Sequence, residues 1–243
     1  MSGTEWKNRF LVVAHRGASA YEPENTMSAF RRALAMGADA IELDIRQSAD
    51  GVIVVIHDEN LKRVSGIEKR VRDCTYDELS RIRIFNSETI PKLEDVLSEF
   101  GTKTTLFIEI KEVGLEEKLV SLLRQYSAID NVLIISFLYT TLAKVKELEP
   151  RIEVGLLTFR TPLPLKEGKK LNAFAILPRF NIVTPRTLQM IRAYGFRTYV
   201  WTINDLSLAL RIVGYGVDGI VTDRPDIKAE LTKQQTLLKY YHT

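Results

Sequence analysis

Short apolar runs that alternate with amphipathic helical segments constrain the fold of this chain more than any other feature of the sequence. Nine such runs predict β-strands, at residues 10–14, 40–46, 52–56, 105–111, 132–136, 153–158, 173–177, 197–201 and 219–222. Most of them are almost wholly apolar, which is typical of strands that are covered on both faces. Helical patterns lie between most of the runs and predict helices at residues 26–36, 114–126, 184–194, 205–215 and 225–241.

Alternating strands and helices indicate parallel β–α units and therefore an α/β fold. Eight units fit if the run at 52–56 either extends the second strand or pairs with it as a hairpin. Eight units close into a (β/α)8 TIM barrel of ordinary size. A doubly wound open sheet is the alternative, but the first strand is not followed by the Gly-x-Gly-x-x-Gly turn that many such folds carry.

The length of 243 residues suits either one barrel or two small domains. Because no Gly/Ser linker or low-complexity tract divides the chain, we predict a single barrel domain over residues 1–243. Residues 60–91 break the strand–helix pattern and predict a small insertion after the second strand, beside the barrel mouth. Within it, Thr75 and Glu78 form a capping-box pattern that predicts a short helix. The insertion is either a partial lid or a plain surface excursion.

The composition argues against several classes of protein. The formal net charge is +3 and acidic and basic residues are interspersed, a pattern that does not favour nucleic-acid binding. Cys74 is the only cysteine, which excludes an intrachain disulfide and a zinc site made of thiolates. The sequence holds no run of about 18 apolar residues, so we predict no membrane-spanning helix. Residues 1–9 are polar and lack the apolar stretch of a signal peptide, which predicts a cytoplasmic protein.

Ionisable residues follow apolar residues in several of the predicted strands, and the carboxyl ends of barrel strands surround the active site. Leu11, Val13 and His15 share one face of the first strand, so His15 is predicted at the rim of the core. Glu42 and Asp44 are two residues apart and point to the same side of the second strand. Two inward carboxylates share a proton, pair with a neighbouring arginine, or bind a cation. An all-oxygen pair suits Mg²⁺, Ca²⁺ or Mn²⁺.

Three further strands carry polar or aromatic residues near their ends. His57 ends the run at 52–56, and together with His15 it predicts an acid–base pair near neutral pH, with a structural histidine as the alternative. Glu109 and Lys111 share a face, which predicts a third carboxylate for the cation and an ammonium for an anionic oxygen, or else a simple ion pair. Trp201 ends a late strand, where it is either a pocket wall against the substrate or a core residue.

Taken in order, these motifs resemble the glycerophosphodiester phosphodiesterase family. The set comprises His-Arg-Gly-Ala at 15–18, Pro-Glu-Asn-Thr at 23–26, Glu-Leu-Asp at 42–44, His-Asp at 57–58, Glu-Ile-Lys at 109–111, Ile-Ser-Phe at 135–137, Trp-Thr-Ile-Asn at 201–204 and Gly-Val-Asp-Gly-Ile-Val-Thr-Asp-Arg-Pro at 216–225. Each motif alone is weak, whereas the ordered set is highly specific. Lys92 departs from the family, which usually has threonine or serine there, at a position that precedes a helix.

The resemblance implies a TIM barrel with a small insertion after the second strand. It also implies metal-dependent hydrolysis of glycerophosphodiesters to sn-glycerol 3-phosphate and an alcohol. One divalent cation, Mg²⁺ or Ca²⁺ with Mn²⁺ as a third choice, would be held on this chain by Glu42, Asp44 and Glu109. The small-molecule glycerophosphodiester would be the only partner implied, without nucleic acid and without stable membrane insertion.

The resemblance also implies roles for the remaining site residues. His15 and His57 would be the acid–base pair. Arg16 and Lys111 would contact the phosphoryl oxygens. Asn25 would orient His15 without contacting the substrate.

Three rival functions are weighed against this one. A lysophospholipase D on the same barrel would need an apolar access groove, which the insertion could supply through Ile67, Val71, Ile82, Ile84 and Phe85. A sugar-phosphate isomerase would not need three acids for a metal, and a binding module without activity would be expected to have lost a histidine or a metal acid. The leaving alcohol, the native metal, the division of roles between the two histidines and the oligomeric state, including a homo-oligomer, stay open.

Overall fold

Parallel strands close on themselves in the computed structural model, which describes residues 5–241 and the side chains of residues 5–234. The strands are β1 Leu11–His15, β2 Ala40–Gln47, β3 Ile53–Val55, β4 Arg83–Ile84, β5 Glu88–Thr89, β6 Thr105–Ile110, β7 Val132–Ser136, β8 Glu153–Thr158, β9 Ala175–Pro178, β10 Arg197–Val200 and β11 Gly219–Thr222. Eight of them pair in parallel in the order β1-β2-β6-β7-β8-β9-β10-β11, and β11 returns to β1. The predicted (β/α)8 TIM barrel is therefore confirmed.

Helices lie between the barrel strands, within the segment 60–91 and after the last barrel strand. They are α1 Met27–Ala35, α2 Lys62–Ser65, α3 Tyr76–Ser80, α4 Leu93–Phe100, α5 Glu116–Gln125, α6 Tyr139–Leu148, α7 Leu165–Lys170, α8 Pro185–Ala193, α9 Leu206–Gly214 and α10 Ile227–Tyr241. None of these helices, within residues 5–241, combines the length and the apolar character that crossing a bilayer requires.

Side-chain caps fix where several helices begin. Thr26 accepts a hydrogen bond from the Ala29 amide at the start of α1, and Asp205 accepts one from Leu208 at the start of α9. At α4 the capping residue is Lys92, whose side chain has no acceptor for a backbone amide. Only one of the two hydrogen bonds of a capping box can therefore form. The Lys92 amide donates to Asp95, 3.3 Å away. The departure from the family pattern at Lys92 therefore changes a cap.

Alternation along the strands divides the core into two layers. Leu11, Val13 and Phe107 point into the barrel, whereas Ile41 and Leu43 point outward against the helices. Trp6 closes the amino end of the barrel from the 3₁₀ helix Glu5–Asn8. Its ring packs edge-on against Phe107 at 6.2 Å between centroids. The apolar floor leaves the carboxyl end of the barrel for polar side chains.

The run at 52–56 is a hairpin partner of the second strand, since β3 pairs antiparallel with β2. The chain then forms α2, α3 and the β4–β5 hairpin over residues 60–91. The predicted capping box before α3 is confirmed. The Thr75 hydroxyl accepts a hydrogen bond from the Glu78 backbone amide, and the Glu78 carboxylate accepts one from the Thr75 backbone amide.

The five apolar residues expected to line an access groove in the insertion do not do so together. Val71 and Ile84 are fully buried in a small core that the insertion forms together with Val54 of β3 and the adjacent Ile56. Ile82 is partly buried against the same core. Ile67 and Phe85 are exposed. The prediction that this segment forms an apolar groove for a lysophospholipid is therefore wrong. Three of the five side chains pack in the small core and do not line a groove.

Candidate active site

The turn after β1 places His15 and Arg16 at the carboxyl end of the barrel. Arg16 and Gly17 both have positive φ angles, 55° and 83°. Any Cβ at Gly17 would lie 2.7 Å from the backbone of Ala29, so this turn requires glycine. The sharp turn points the Arg16 amide at Glu42, where it donates to Oε2 over 2.9 Å.

Three buried carboxylates meet beside this turn. Glu42 and Asp44 come from β2 and Glu109 from β6, where Asp44 and Glu109 are neighbours in register. One carboxylate oxygen of each can be chosen so that all three lie within 4.8 Å of one another. The period of two along β2 thus brings the predicted acids together.

Charge around the cluster is unevenly distributed. Burial, with the neighbouring Asp44 charge, raises the pKa of Glu42 to about 8. The same two causes raise the pKa of Glu109 to about 7. Burial alone would also raise the pKa of Asp44, but the cations Lys111 and Arg16 lower it to about 2. Asp44 is therefore the fixed charge of the cluster, and the two glutamates hold protons near neutral pH.

The donor set fits a divalent cation. All three groups offer oxygen, the ligand that hard divalent cations prefer. The Arg16 amide binds Oε2 of Glu42, and Lys111 binds Oε1 of Glu109 at 2.7 Å. These bonds leave the second oxygen of each carboxylate for another partner. A divalent cation would also remove the repulsion that keeps the two glutamates protonated.

His15 is held by an aspartate that the sequence analysis did not assign. Its Nδ1 donates to Oδ1 of Asp223 over 2.7 Å. Asp223 in turn accepts from the Asn204 amide group and from the Ser19 hydroxyl. Burial acts to lower the pKa of His15, but Asp223 and the nearby Glu42 outweigh it and raise that pKa. Asp223 directly follows β11, so the rule that sites form at strand ends could have found it.

His57 is held in the same manner by its neighbour in sequence. Its Nδ1 donates to Oδ1 of Asp58 over 2.6 Å. Burial and the cations Lys111 and Arg16 outweigh the Asp44 charge and lower the pKa of His57. The two histidines thus have similar carboxylate partners and opposite pKa shifts.

Asn25 contacts a different residue from the one predicted. Its side-chain amide donates to Oδ2 of Asp44 over 2.8 Å, and its oxygen accepts from the Asp44 backbone amide. The expectation that Asn25 orients His15 is wrong, because Asp223 holds that ring. Asn25 has a φ angle of 58°, and this bend is what brings its side chain to β2.

Both histidines open into one cavity of about 200 Å³. Arg16, Glu42, Glu109 and Lys111 form its polar wall. The rest of the lining, apart from Thr202, is an apolar wall that comprises Ile135, Phe137, Leu157, Leu177, Trp201 and Val221. Trp201 donates from Nε1 to the Leu177 carbonyl and packs edge-on against Phe137, so it lines the cavity and is also anchored to the barrel.

Comparisons with known proteins match most of this chain to one family. A model of the glycerophosphoryl diester phosphodiesterase family matches residues 15–227. The glycerophosphodiester phosphodiesterase of Caldanaerobacter subterraneus subsp. tengcongensis is 35% identical over 239 residues, which cover 92% of this chain and 98% of that protein.

Two solved structures share the whole barrel. The glycerophosphodiester phosphodiesterase of Thermotoga maritima has a TM-score of 0.80 and 28% identity, and the match covers 92% of this chain and 99% of that one. An Oleispira antarctica phosphodiesterase in complex with the product sn-glycerol 3-phosphate has a TM-score of 0.83 and 29% identity, with 92% and 95% covered.

Proposed function

This chain belongs to the glycerophosphoryl diester phosphodiesterase family, and on that premise we propose that it hydrolyses glycerophosphodiesters to sn-glycerol 3-phosphate and an alcohol with His15 and His57 as its acid–base pair. One observation carries the proposal. The two imidazoles line the same small cavity as Glu42 and Glu109 of the acid cluster and the cationic side chains of Arg16 and Lys111. The product is proposed by analogy with the Oleispira antarctica phosphodiesterase, whose solved structure holds sn-glycerol 3-phosphate.

The acid cluster would hold the cation through Glu42, Asp44 and Glu109, as Mg²⁺ or Ca²⁺, with Mn²⁺ as a third choice. When bound, a divalent cation stabilises the negative charge that develops on phosphoryl oxygens. Metal dependence is supported by the raised pKa values of the two glutamates, which mark a cluster that lacks enough positive charge of its own.

Arg16 and Lys111 would bind the phosphodiester. The Arg16 Nε is buried and, among the described residues, has no hydrogen-bond partner, although it lies 3.2 Å from Oδ2 of Asp44. A buried N–H that makes no hydrogen bond costs free energy that a phosphate oxygen would recover. Lys111 lies between Glu109 and Asp44 at 2.7 and 3.4 Å, so its ammonium is fixed at the cavity wall.

The histidines would move protons at two oxygens of the substrate. One imidazole accepts the proton of the attacking hydroxyl, and the other donates a proton to the oxygen of the leaving alcohol. The family resemblance implies that the 2-hydroxyl of glycerol attacks first and that water then opens the cyclic phosphate. Asp223 and Asp58 support this role, because each fixes one ring with Nδ1 protonated and leaves Nε2 for the substrate.

The test is to compare His15→Ala and His57→Ala with the wild type on glycerophosphocholine. Each variant should lose about 10²- to 10⁴-fold in kcat while binding Mg²⁺ with nearly unchanged Kd. His242 offers a control, since it lies outside the described residues and has no assigned role, and His242→Ala should retain full activity. Near-wild-type rates in either site variant would contradict the acid–base assignment, and full activity in verified metal-free protein would contradict the cation.

A lysophospholipase D activity is the second candidate, and the apolar wall of the cavity favours it. Phe137 and Phe159 pack against each other at 5.6 Å, beside Trp201, and both remain exposed. These rings extend the apolar wall outward, in a direction that would suit an acyl chain. Comparing kcat/KM on glycerophosphocholine and on lysophosphatidylcholine separates the two candidates.

A further inference from the structure

A chain of alternating charges runs from Arg16 to His57 outside the acid cluster. Arg16 donates from a terminal guanidinium nitrogen to Oε1 of Glu24 over 3.0 Å. Arg63 donates to both oxygens of Glu24, at 2.6 and 2.9 Å. Its Nε donates to Oδ2 of Asp58 over 2.6 Å, and the other oxygen of Asp58 holds His57. Two guanidinium groups and two carboxylates are thus linked in a line that ends on the imidazole.

Arg63 joins three separate segments of the chain. It lies on α2, within the insertion. Glu24 lies in the connection between β1 and α1, and Asp58 follows the β2–β3 hairpin. The three side chains lie outside the cavity lining but next to it: Asp58 and Arg63 line a groove that includes His57, and Glu24 lines one that includes Arg16. Arg63 of the insertion therefore contacts both the carboxylate that binds Arg16 and the carboxylate that binds His57.

The fork of a guanidinium is what makes this arrangement feasible. All three guanidinium nitrogens of Arg63 donate hydrogen bonds, Nη1 and Nη2 to Glu24 and Nε to Asp58. A planar group with fixed donor directions holds both acids in one orientation, whereas a lysine ammonium binds as a point charge. The Glu24 and Asp58 side chains are only 15% and 24% exposed, so water competes weakly for them.

We propose that Arg63 is a positioning residue for the hydrolysis. On one side its guanidinium holds Glu24 against Arg16. On the other side it holds Asp58 against His57. The phosphate-contacting arginine and one acid–base histidine are then fixed by a single side chain of the insertion. The inference rests on the roles proposed above for Arg16 and His57.

Arg63→Ala tests the inference against a matched control in the same insertion. The variant should lose about 10- to 100-fold in kcat/KM on glycerophosphocholine, the usual cost of removing a side chain that orients a site residue. The control is Arg70→Ala, whose side chain is 46% exposed against 45% for Arg63, and whose fork binds Asp73. Because that pair is exposed and, among the described residues, its side chains share no hydrogen bond with the network, the control should stay within about twofold of the wild type.

Kinetic parameters separate positioning from a general loss of structure. Glu24→Gln should mainly raise KM through Arg16, Asp58→Asn should mainly lower kcat through His57, and Arg63→Ala should do both. In a chain that already carries Glu24→Ala and Asp58→Ala, adding Arg63→Ala should cost less than about twofold, because both of its hydrogen-bond partners are gone. A loss of undiminished size in that background would overturn the inference.

Histidine side-chain NMR gives a readout that does not depend on turnover. In the full-length protein without substrate, Arg63→Ala should shift the imidazole ¹⁵N signals of His57 and leave those of His15 unchanged. Unchanged His57 signals would overturn the inference even if activity fell. Arg63→Lys keeps the charge without the fork and should still lose at least about fivefold in kcat/KM, so full activity in that variant would also overturn it. Wild-type turnover on glycerophosphocholine, measured in the same series, tests the proposed function separately.

Discussion

Binding of a divalent cation should expel protons from the acid cluster, and the number follows from two carboxyl groups. In the protein without metal, Glu42 has a pKa of about 8 and Glu109 a pKa of about 7, because both are buried beside Asp44. At pH 7 a group of pKa about 8 is about nine-tenths protonated, and one of pKa about 7 is about half protonated. A cation that requires both groups as carboxylates should therefore release about 1.4 protons.

The affinity for Mg²⁺ and the free energy of unfolding should both depend on pH through the protons of these two glutamates. Near pH 7 the apparent Kd for Mg²⁺ should fall by about 25-fold for each unit that the pH rises. Both folded-state pKa values lie above the ordinary value of 4.5, so the native protein holds protons that the unfolded chain has lost. The free energy of unfolding of the metal-free protein should accordingly fall as the pH rises from about 4.5 to about 8, and Mg²⁺ should stabilise the protein more at pH 8 than at pH 6.

Isothermal titration calorimetry with Mg²⁺ at pH 7 measures this release directly. Two buffers that differ in ionisation enthalpy give different observed heats, and the difference yields the number of protons. The variant Glu42→Gln keeps the shape of the side chain but cannot ionise, so its release should fall to about 0.5 protons. Release of fewer than about 0.3 protons by the wild type would refute the reasoning, because the two glutamates would then be ionised before the cation arrives.

Three substitutions test other parts of the structure. Asp223→Asn removes the charge that holds His15 and should lower kcat by about 10- to 100-fold with little change in KM, as steady-state kinetics can show. Gly17→Ala should destabilise the protein by about 2 kcal/mol or more in urea unfolding, because the new Cβ meets the Ala29 backbone at a positive φ. Phe107→Ala empties the buried middle of the barrel, where the ring packs edge-on against Tyr199 at 5.0 Å, and should cost about 4 kcal/mol in the same assay. A loss below about 1 kcal/mol in either stability variant would contradict the packing described.

Local patterns in the sequence were enough to predict the barrel and its acid cluster. The period of two along β2 and β6 places Glu42, Asp44 and Glu109 on the inner face, and the register of those strands makes them neighbours. Helices with a side-chain cap, such as α1 after Thr26, begin within a residue of their predicted positions.

Contacts between distant segments could not be predicted in this way. Asp223 reaches His15 only because the last strand closes against the first, across 208 residues of sequence. Arg63 lies in an insertion without a regular period, so its contacts with Glu24 and Asp58 depend on how that insertion folds. Asn25 turns toward Asp44 through a left-handed backbone bend, which the residue type permits but does not require.

The pairing of β11 with β1 has a consequence for synthesis on the ribosome. Until Gly219–Thr222 emerges, β1 and β10 each have a free edge with unpaired amides and carbonyls, and such edges favour association with other chains. His15 also lacks Asp223 throughout that interval. A nascent chain of this protein therefore lacks a complete catalytic site until β11 and Asp223 have been made. The pairing of β11 that covers the two free strand edges also completes the site.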